Sequence, residues 1–329
     1  MCLIVEGLGG QIAEIAMLFG VRGVRRHFKV WGLIVVCVAL YSDSGAAAER
    51  GLSSYLPGYY GDYLVAVAPR PGLYVYATNY NYRATKTVPG FTGELRLSAS
   101  ALISGFQFVA PEKLWNTTIA VGAYSSLISA DLQGRLVGAG GAPTINQHKA
   151  AGGDTSLSPI SLYWNAGNIY VNAYEAIFLP TGEFRTANAL NLSRNYYSFD
   201  TVLAVTYLDR QRGLEISLAS GLMFNTTNPS TDYLTGTEIH LDAMINTFVS
   251  PTLAAGLHGY VYSQLDDDTI RGVRLVGQRS SSMALGPSLL WIPSEIGLDG
   301  KLVLKWLHDV DSENRFRGDV LSITGAFKF

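Results

Sequence analysis

Glu238, His240 and Asp242 stand at alternate positions of one segment, and His258 follows beyond a Ser250-Pro251-Thr252 turn. Carboxylates and imidazoles grouped this way could hold a metal ion or work as a His–Asp acid/base pair. Either use requires side chains on one face. In a β-strand residues i, i+2 and i+4 share a face, and the 250–252 turn would set His258 level with Met244, one or two steps from Asp242. The group has a second reading as hydrogen-bonded, charge-paired side chains that fill a barrel interior, with Glu94, Arg96, Glu215, Lys301 and Lys305 as partners. That second reading is the expectation, with no catalytic residue, metal or cofactor assigned. Nucleophilic catalysis would need a serine activated by a histidine, and the chain contains no Gly-x-Ser-x-Gly elbow. A lipase-like outer-membrane hydrolase stands as the alternative class, and a structural barrel with a closed lumen as a third.

The elements that must carry these residues alternate with period two. Over 237–249, Ile239, Leu241, Ala243, Ile245 and Val249 oppose Glu238, His240, Asp242, Met244 and Asn246. Over 253–266, Leu253, Leu257 and Val261 oppose His258, Tyr260, Tyr262 and Gln264. A helix would mix these sets, whereas a strand separates them. Over 94–103, Leu95, Leu97, Ala99, Ala101 and Ile103 oppose Glu94, Arg96, Ser98 and Ser100. About twelve such segments follow one another, near 71–85, 92–109, 117–136, 156–164, 168–180, 195–208, 213–228, 235–249, 253–268, 280–293, 297–312 and 315–329. Glu175 interrupts the alternation of the fifth, and a bulge there would restore its phase. Every second connection is short, whereas 137–155, 181–194 and 269–279 are long. Short turns alternating with long loops, with an even strand number, describe an all-β antiparallel transmembrane barrel. Polar residues at every second position suit a wet lumen better than a dry soluble core.

Charged residues make up 15% of the 329-residue chain, which also has 19 Tyr, 13 Phe and 35 Gly. Past residue 50 there is no apolar run of the length a bilayer-spanning helix needs. With a net charge of −2 and no basic run in that part, nucleic acid is not an expected partner. Basic residues at 22–29, an apolar run from Val30 to Tyr41 and Ala46-Ala47-Ala48 read as a signal peptide over 1–48, with residues 1–16 a misassigned start ahead of Met17. Cys2 and Cys37 fall within it. Residues 49–70 precede the first strand, as a periplasmic or lumen-inserted segment, and the barrel occupies 71–329. Tyr59, Tyr60, Tyr63, Tyr74, Tyr76, Tyr80 and Tyr82 suit interfacial girdles or lumen packing, or surfaces on which an aromatic solute could stack. The Asp266-Asp267-Asp268 run reads as a solvated loop. Phe327 and Phe329 at the C-terminus look like the signal read by the barrel-assembly machinery.

Several stretches carry a family resemblance. They include Phe224-Asn225-Thr226-Thr227-Asn228-Pro229 through Tyr233, Gly259-Tyr260-Val261-Tyr262, Leu285-Gly286-Pro287-Ser288, Lys305-Trp306 and Leu179-Pro180-Thr181-Gly182. They resemble the SphA-like outer-membrane transporters, the "putative meta-pathway of phenol degradation" family. The resemblance implies a bacterial outer-membrane barrel that admits small hydrophobic or aromatic compounds. The lumen residues expected to meet such a solute are Glu238, His240, Asp242, Asn246, His258, Tyr260, Tyr262, Glu215, Glu94, Arg96, Lys301 and Lys305. The processing expectation is directly testable: N-terminal sequencing of the protein from outer-membrane fractions should begin at Glu49, and sequence upstream of residue 30 would refute the leader.

Overall fold

The computed structural model describes residues 52–88, 91–138 and 142–329. The leader, its cysteines and the expected cleavage site lie outside these residues. The described chain forms β1 (Gly72–Thr87), β2 (Glu94–Val109), β3 (Thr118–Arg135), β4 (Thr144–Gly152 and Thr155–Ala166), β5 (Ile169–Leu179), β6 (Ser198–Asp209), β7 (Leu214–Asn225), β8 (Glu238–Ser250), β9 (Leu253–Gln264), β10 (Ser281–Trp291), β11 (Gly300–Glu313) and β12 (Arg317–Lys328). The two parts of β4 run successively along the same partner, β3, so the thirteen segments of the sheet make twelve strands. Each strand pairs antiparallel with its sequence neighbours, and β12 pairs with β1, so the sheet closes; the Thr144–Gly152 arm pairs on one side, with β3.

The connections differ at the two ends. At one end lie 110–117, 167–168, 210–213, 251–252 and 292–299, the last holding a 3-10 turn at Pro293–Ile296. At the other lie the long connections 180–197, 226–237 and 265–280. Tyr233–Leu234, Thr269–Ile270 and Val273–Arg274 form a small sheet that ties the last two together. The acidic run is a staple there rather than a solvated loop. Asp267 pairs with Arg274 at 2.7 Å and Arg279 at 3.2 Å, while the fully buried Asp268 accepts from Tyr233, Gln264 and the Gly236 N–H.

Two details depart from the sequence pattern. The loop expected at 137–155 contains the strand arm Thr144–Gly152, whose residues alternate only between exposed and half-buried. That arm pairs with Leu127–Arg135 of β3, and its half-buried face mixes Ile145 and Ala151, packed on the inner apolar cluster, with Gln147 and Lys149, so no apolar alternation marks it. Glu175 needs no bulge in β5. It faces outward and accepts from Thr201 at 2.7 Å; the irregularity sits in the neighbouring strand, between Leu157 and Ile160.

The outer face of β7–β10 is apolar for its whole length, with Ile216, Leu218, Phe224, Ile245, Leu257, Val261, Leu285 and Leu289 exposed. The wall β1–β3 is built the other way near the loop end. Tyr82, Ala84, Leu97, Ala130 and Leu132 are buried inside, against Leu190 and Leu192 of the inward-folded 180–197 loop. Glu94 and Arg96, expected in the lumen, therefore point outward, where they pair at 2.8 Å. Alternation separates two faces but does not say which is inside. Here the loop gives the inside an apolar partner, and the outward charges sit at the loop end of the wall. There a charge costs about 0–1 kcal/mol, against roughly 2–4 at a membrane midplane.

Phe329 is 79% exposed, and its N–H bonds the Leu73 carbonyl at 2.9 Å, whereas Lys328 shares its side of β12 with the buried Ala326. Deleting Phe329 should lower the yield of folded, heat-modifiable barrel several-fold, while Lys328→Ala leaves it near wild type. Equal yields on gel-shift would contradict an assembly role for the terminal aromatic.

Candidate functional site

Residues 52–70 lie inside the barrel. Pro57 and Gly58 turn the segment, with Gly58 at φ 68° and the Tyr59 N–H bonded to the Leu56 carbonyl at 3.1 Å. Pro at the second and a positive-φ glycine at the third position is what a type II turn demands. Gly61 is needed for closeness: a Cβ there would lie 2.1 Å from the His258 ring. The segment then meets β6–β12 group by group. Ser53 donates to Glu238 at 2.9 Å, the Leu64 N–H to Glu215 at 2.6 Å and the Ala66 N–H to Thr206 at 3.2 Å. Lys305 donates to the carbonyls of Gly58 and Gly61, and Lys301 to that of Tyr63 at 2.7 Å.

Tyr55 is the anchor. It is 1% exposed, its ring stacks on His240 with centroids 4.4 Å apart and on Tyr262 at 5.6 Å, and its hydroxyl donates to Asp242 at 3.0 Å. The sequence-predicted cluster assembles around it. The β8–β9 register sets His240 opposite Tyr262, Asp242 opposite Tyr260 and Met244 opposite His258. His258 meets Asp242 at 3.3 Å, and Tyr262 donates to Glu238 at 2.7 Å. Glu238, His240 and Asp242 are each 1% exposed. They line the lumen, as do Glu215, Asn246, Lys301 and Lys305, but the inner segment covers them.

Two partners escaped the sequence reading. Asp200 on β6 meets His240 at 3.0 Å, and Asp309 on β11 accepts from Tyr260 and Tyr82. Both sit on strands distant in sequence, and only closure brings them together. Among the described residues no hydrogen bond joins a serine to His240 or His258, and no group of three or more His, Cys, Asp or Glu is disposed to hold one metal ion.

Between the inner segment and β1–β5 lies a cavity of about 500 Å³ that reaches round to Asp62, Lys301 and Lys305. Tyr74, Tyr76, Tyr124, Tyr163, Tyr174 and Phe178 supply its barrel side, and Leu56, Tyr59, Tyr60 and Val65 its inner side. Gln107 and Asn172 are its buried amides; Gln107 donates to Tyr163 at 3.2 Å, while the Asn172 Oδ1 has no hydrogen-bond partner. Tyr124, Tyr163 and Tyr174 went unremarked in the sequence because they are scattered over three strands. Their common signal is an inward position beside small residues such as Ala123, Ser161 and Ala173.

The family described as "Putative MetA-pathway of phenol degradation" matches residues 78–324. The chain belongs to this family. Among solved structures, the COG4313 outer membrane channel from Pseudomonas putida F1 is similar at 14% identity with a TM-score of 0.64, over 84% of this chain and 100% of that one. The translocator domain of the autotransporter NalP from Neisseria meningitidis (13% identity, TM-score 0.45, over 80% and 91%) and the AIDA-I transport unit from Escherichia coli (9%, 0.46, over 82% and 93%) are more distant. The first of these likenesses shows the twelve-strand barrel fold. No curated protein sequence matches the chain.

In this family member Asp62 of the inner segment pairs with Lys301 of the wall at 2.9 Å, while Arg70 at the exposed end of the segment pairs with Asp299. Burial alone would raise the Asp62 carboxyl, but the Lys301 and Lys305 ammoniums pull it below its ordinary value. A carboxyl lowered by docking stabilises the docked state above its undocked pKa, and that contribution is lost as pH falls through the docked value. Proteolysis of 52–70 should therefore be slow at neutral pH and faster below the ordinary carboxylate range. Asp62→Asn should cleave faster at neutral pH and lose most of that pH dependence. An unchanged profile in the variant would assign the docking to other contacts.

Proposed function

We propose that the protein is a bacterial outer-membrane channel for passive entry of small hydrophobic or aromatic compounds, with the inner segment narrowing its lumen. The observation that carries this reading is the aromatic-walled cavity beside that segment. Its tyrosines offer stacking faces, and its buried amides offer a few fixed polar contacts, which is how small-molecule sites are commonly built. Family membership supports a transport role. The apolar outer belt, the short-turn and long-loop ends and the terminal Phe327 and Phe329 support an outer-membrane location, with the surrounding lipids and the barrel-assembly machinery as partners. On this reading the long loops face outward and the short turns face the periplasm. The absence of a serine–histidine contact among the described residues favours a channel over a lipase-like hydrolase.

Glu238, Asp242 and His240 then act chiefly by docking the inner segment, and the solute meets the tyrosine wall instead. In planar bilayers the wild-type barrel should show a small conductance that neutral monocyclic aromatics reduce. Tyr174→Ala and Tyr163→Ala should weaken that block several-fold without loss of heat-modifiability. Removing residues 52–66 should raise the conductance several-fold and, by baring Glu238 and Asp242, favour cations over anions in reversal-potential measurements. No conductance in either form would contradict the channel reading and leave a closed structural barrel.

A further inference from the structure

The outward polar face of β11, β12 and β1–β4 lies in ordered tiers. The register places His308, Asp319, Arg83, Ser98, Asp131 and His148 in one row across the wall. One step nearer the loops come Arg317, Thr85, Arg96 and Gln133. The two rows frame an outward groove of about 780 Å³. One step nearer the turns, Asn81 bonds Asn79 at 2.5 Å and accepts from Ser100 at 2.7 Å, with Ser129 beside them. The row below Asn81 joins Asn79 to the exposed Ile323, Leu102 and Leu127, and Leu321 stands beside Asn81. The outer face thus runs from a tier of mixed charge, with Arg83, Arg96 and Arg317 beside Asp131, Asp319 and Glu94, to rows in which amides and hydroxyls give way to apolar side chains.

The carboxylates of the groove are engaged. Asp319 meets His308 at 3.0 Å, Asp131 meets His148 at 3.0 Å, and Glu94 meets Arg96 at 2.8 Å. Among the described residues, neither Arg83 nor Arg317 has a carboxylate partner; Arg317 donates only to the carbonyls of Asp309 and Val310. Both guanidiniums are exposed on the groove wall.

We propose that this groove seats the phosphorylated headgroup of an outer-leaflet glycolipid, with Arg83, Arg96 and Arg317 on its phosphates. The planar guanidinium fork matches a phosphate in geometry and charge. The Asn81, Ser100 and Ser129 row lies where the amide and ester linkages of such a lipid would fall, and the row of Ile323, Leu102 and Leu127 where its acyl chains begin. A second copy of the chain fits less well, because stable protein interfaces centre on apolar residues and the groove itself is lined by charged and polar side chains. The proposal rests on the outer-membrane reading, which sets the long-loop end in the outer leaflet.

The test is native mass spectrometry of the folded barrel in detergent with a diphosphorylated glucosamine-disaccharide lipid. The wild type should retain one such lipid, and Arg83→Gln with Arg317→Gln should weaken retention by roughly tenfold while heat-modifiability stays unchanged. Arg83→Lys with Arg317→Lys should recover part of it. Equal retention of the dephosphorylated lipid, or by the Gln double variant, would overturn the proposal. So would displacement by millimolar inorganic phosphate, which would mark a free-anion site, or barrel dimers without lipid, which would mark an interface between copies. Conductance of the same preparation separates the two readings: a barrel that conducts but holds no lipid overturns only this inference, and one that holds lipid but does not conduct overturns only the channel.

Discussion

The interior of this barrel is governed by the need to satisfy a wall of buried polar side chains. Glu215, Glu238, Asp242, His240, His258 and Lys305 all lie on the inner face of β7–β11, and each is at most 4% exposed. A buried group left without a partner costs about 1–3 kcal/mol, and more when charged. Strand-to-strand contacts meet part of this demand, as in His258 with Asp242 and Tyr262 with Glu238. Residues 52–70 meet much of the remainder through the Tyr55 hydroxyl, the Ser53 hydroxyl and backbone N–H and carbonyl groups, while Glu215 Oε2, the Nδ1 atoms of His240 and His258 and the Asn246 amide keep no hydrogen-bond partner among the described residues. The inner segment and the polar wall are therefore one structure, and neither could be buried at low cost without the other.

The asymmetry of the lumen follows. The segment makes most of its bonds to β6–β11, with Tyr80 of β1 donating to the Pro57 carbonyl at 3.0 Å, and leaves a cavity where β1–β5 present tyrosine rings and small residues. The polar side sets where the segment sits, and the aromatic side sets what the remaining space can hold. The outer face carries a complementary asymmetry, apolar along β7–β10 and polar near the loop end of β1–β3. The polar outer patch traces to an inversion, in which Leu97 and Leu132 turn inward and their polar neighbours turn out.

Much of this was legible in the sequence because a strand separates its faces with a strict period. The twelve segments, the pairing of Met244 with His258 and the common face of Glu238, His240 and Asp242 all follow from alternation plus a short turn. What alternation leaves open is which face is inside. For β8 and β9 the apolar set is the outer one. For β2 it is the inner one, so Glu94 and Arg96 were assigned to the wrong side. Long-range closure was equally silent in the sequence: Asp200 reaches His240 across β7, and nothing local to either residue announces it. The Thr144–Gly152 arm carries no such mark because Gln147 and Lys149 stand between Ile145 and Ala151 on its half-buried face, and the hydrophobic contrast is lost.

The central claim is that the inner segment is held by side chains of the polar wall. Amide hydrogen exchange reads this most directly, because the Leu64 and Ala66 N–H groups are bonded to the side chains of Glu215 and Thr206. In the folded wild-type barrel these two amides should exchange slowly, as barrel amides do, and Tyr55→Ala should speed both while amides in the middle of β7–β10 stay protected. Fast exchange of Leu64 and Ala66 in the wild type, or protection that survives Tyr55→Ala unchanged, would contradict it.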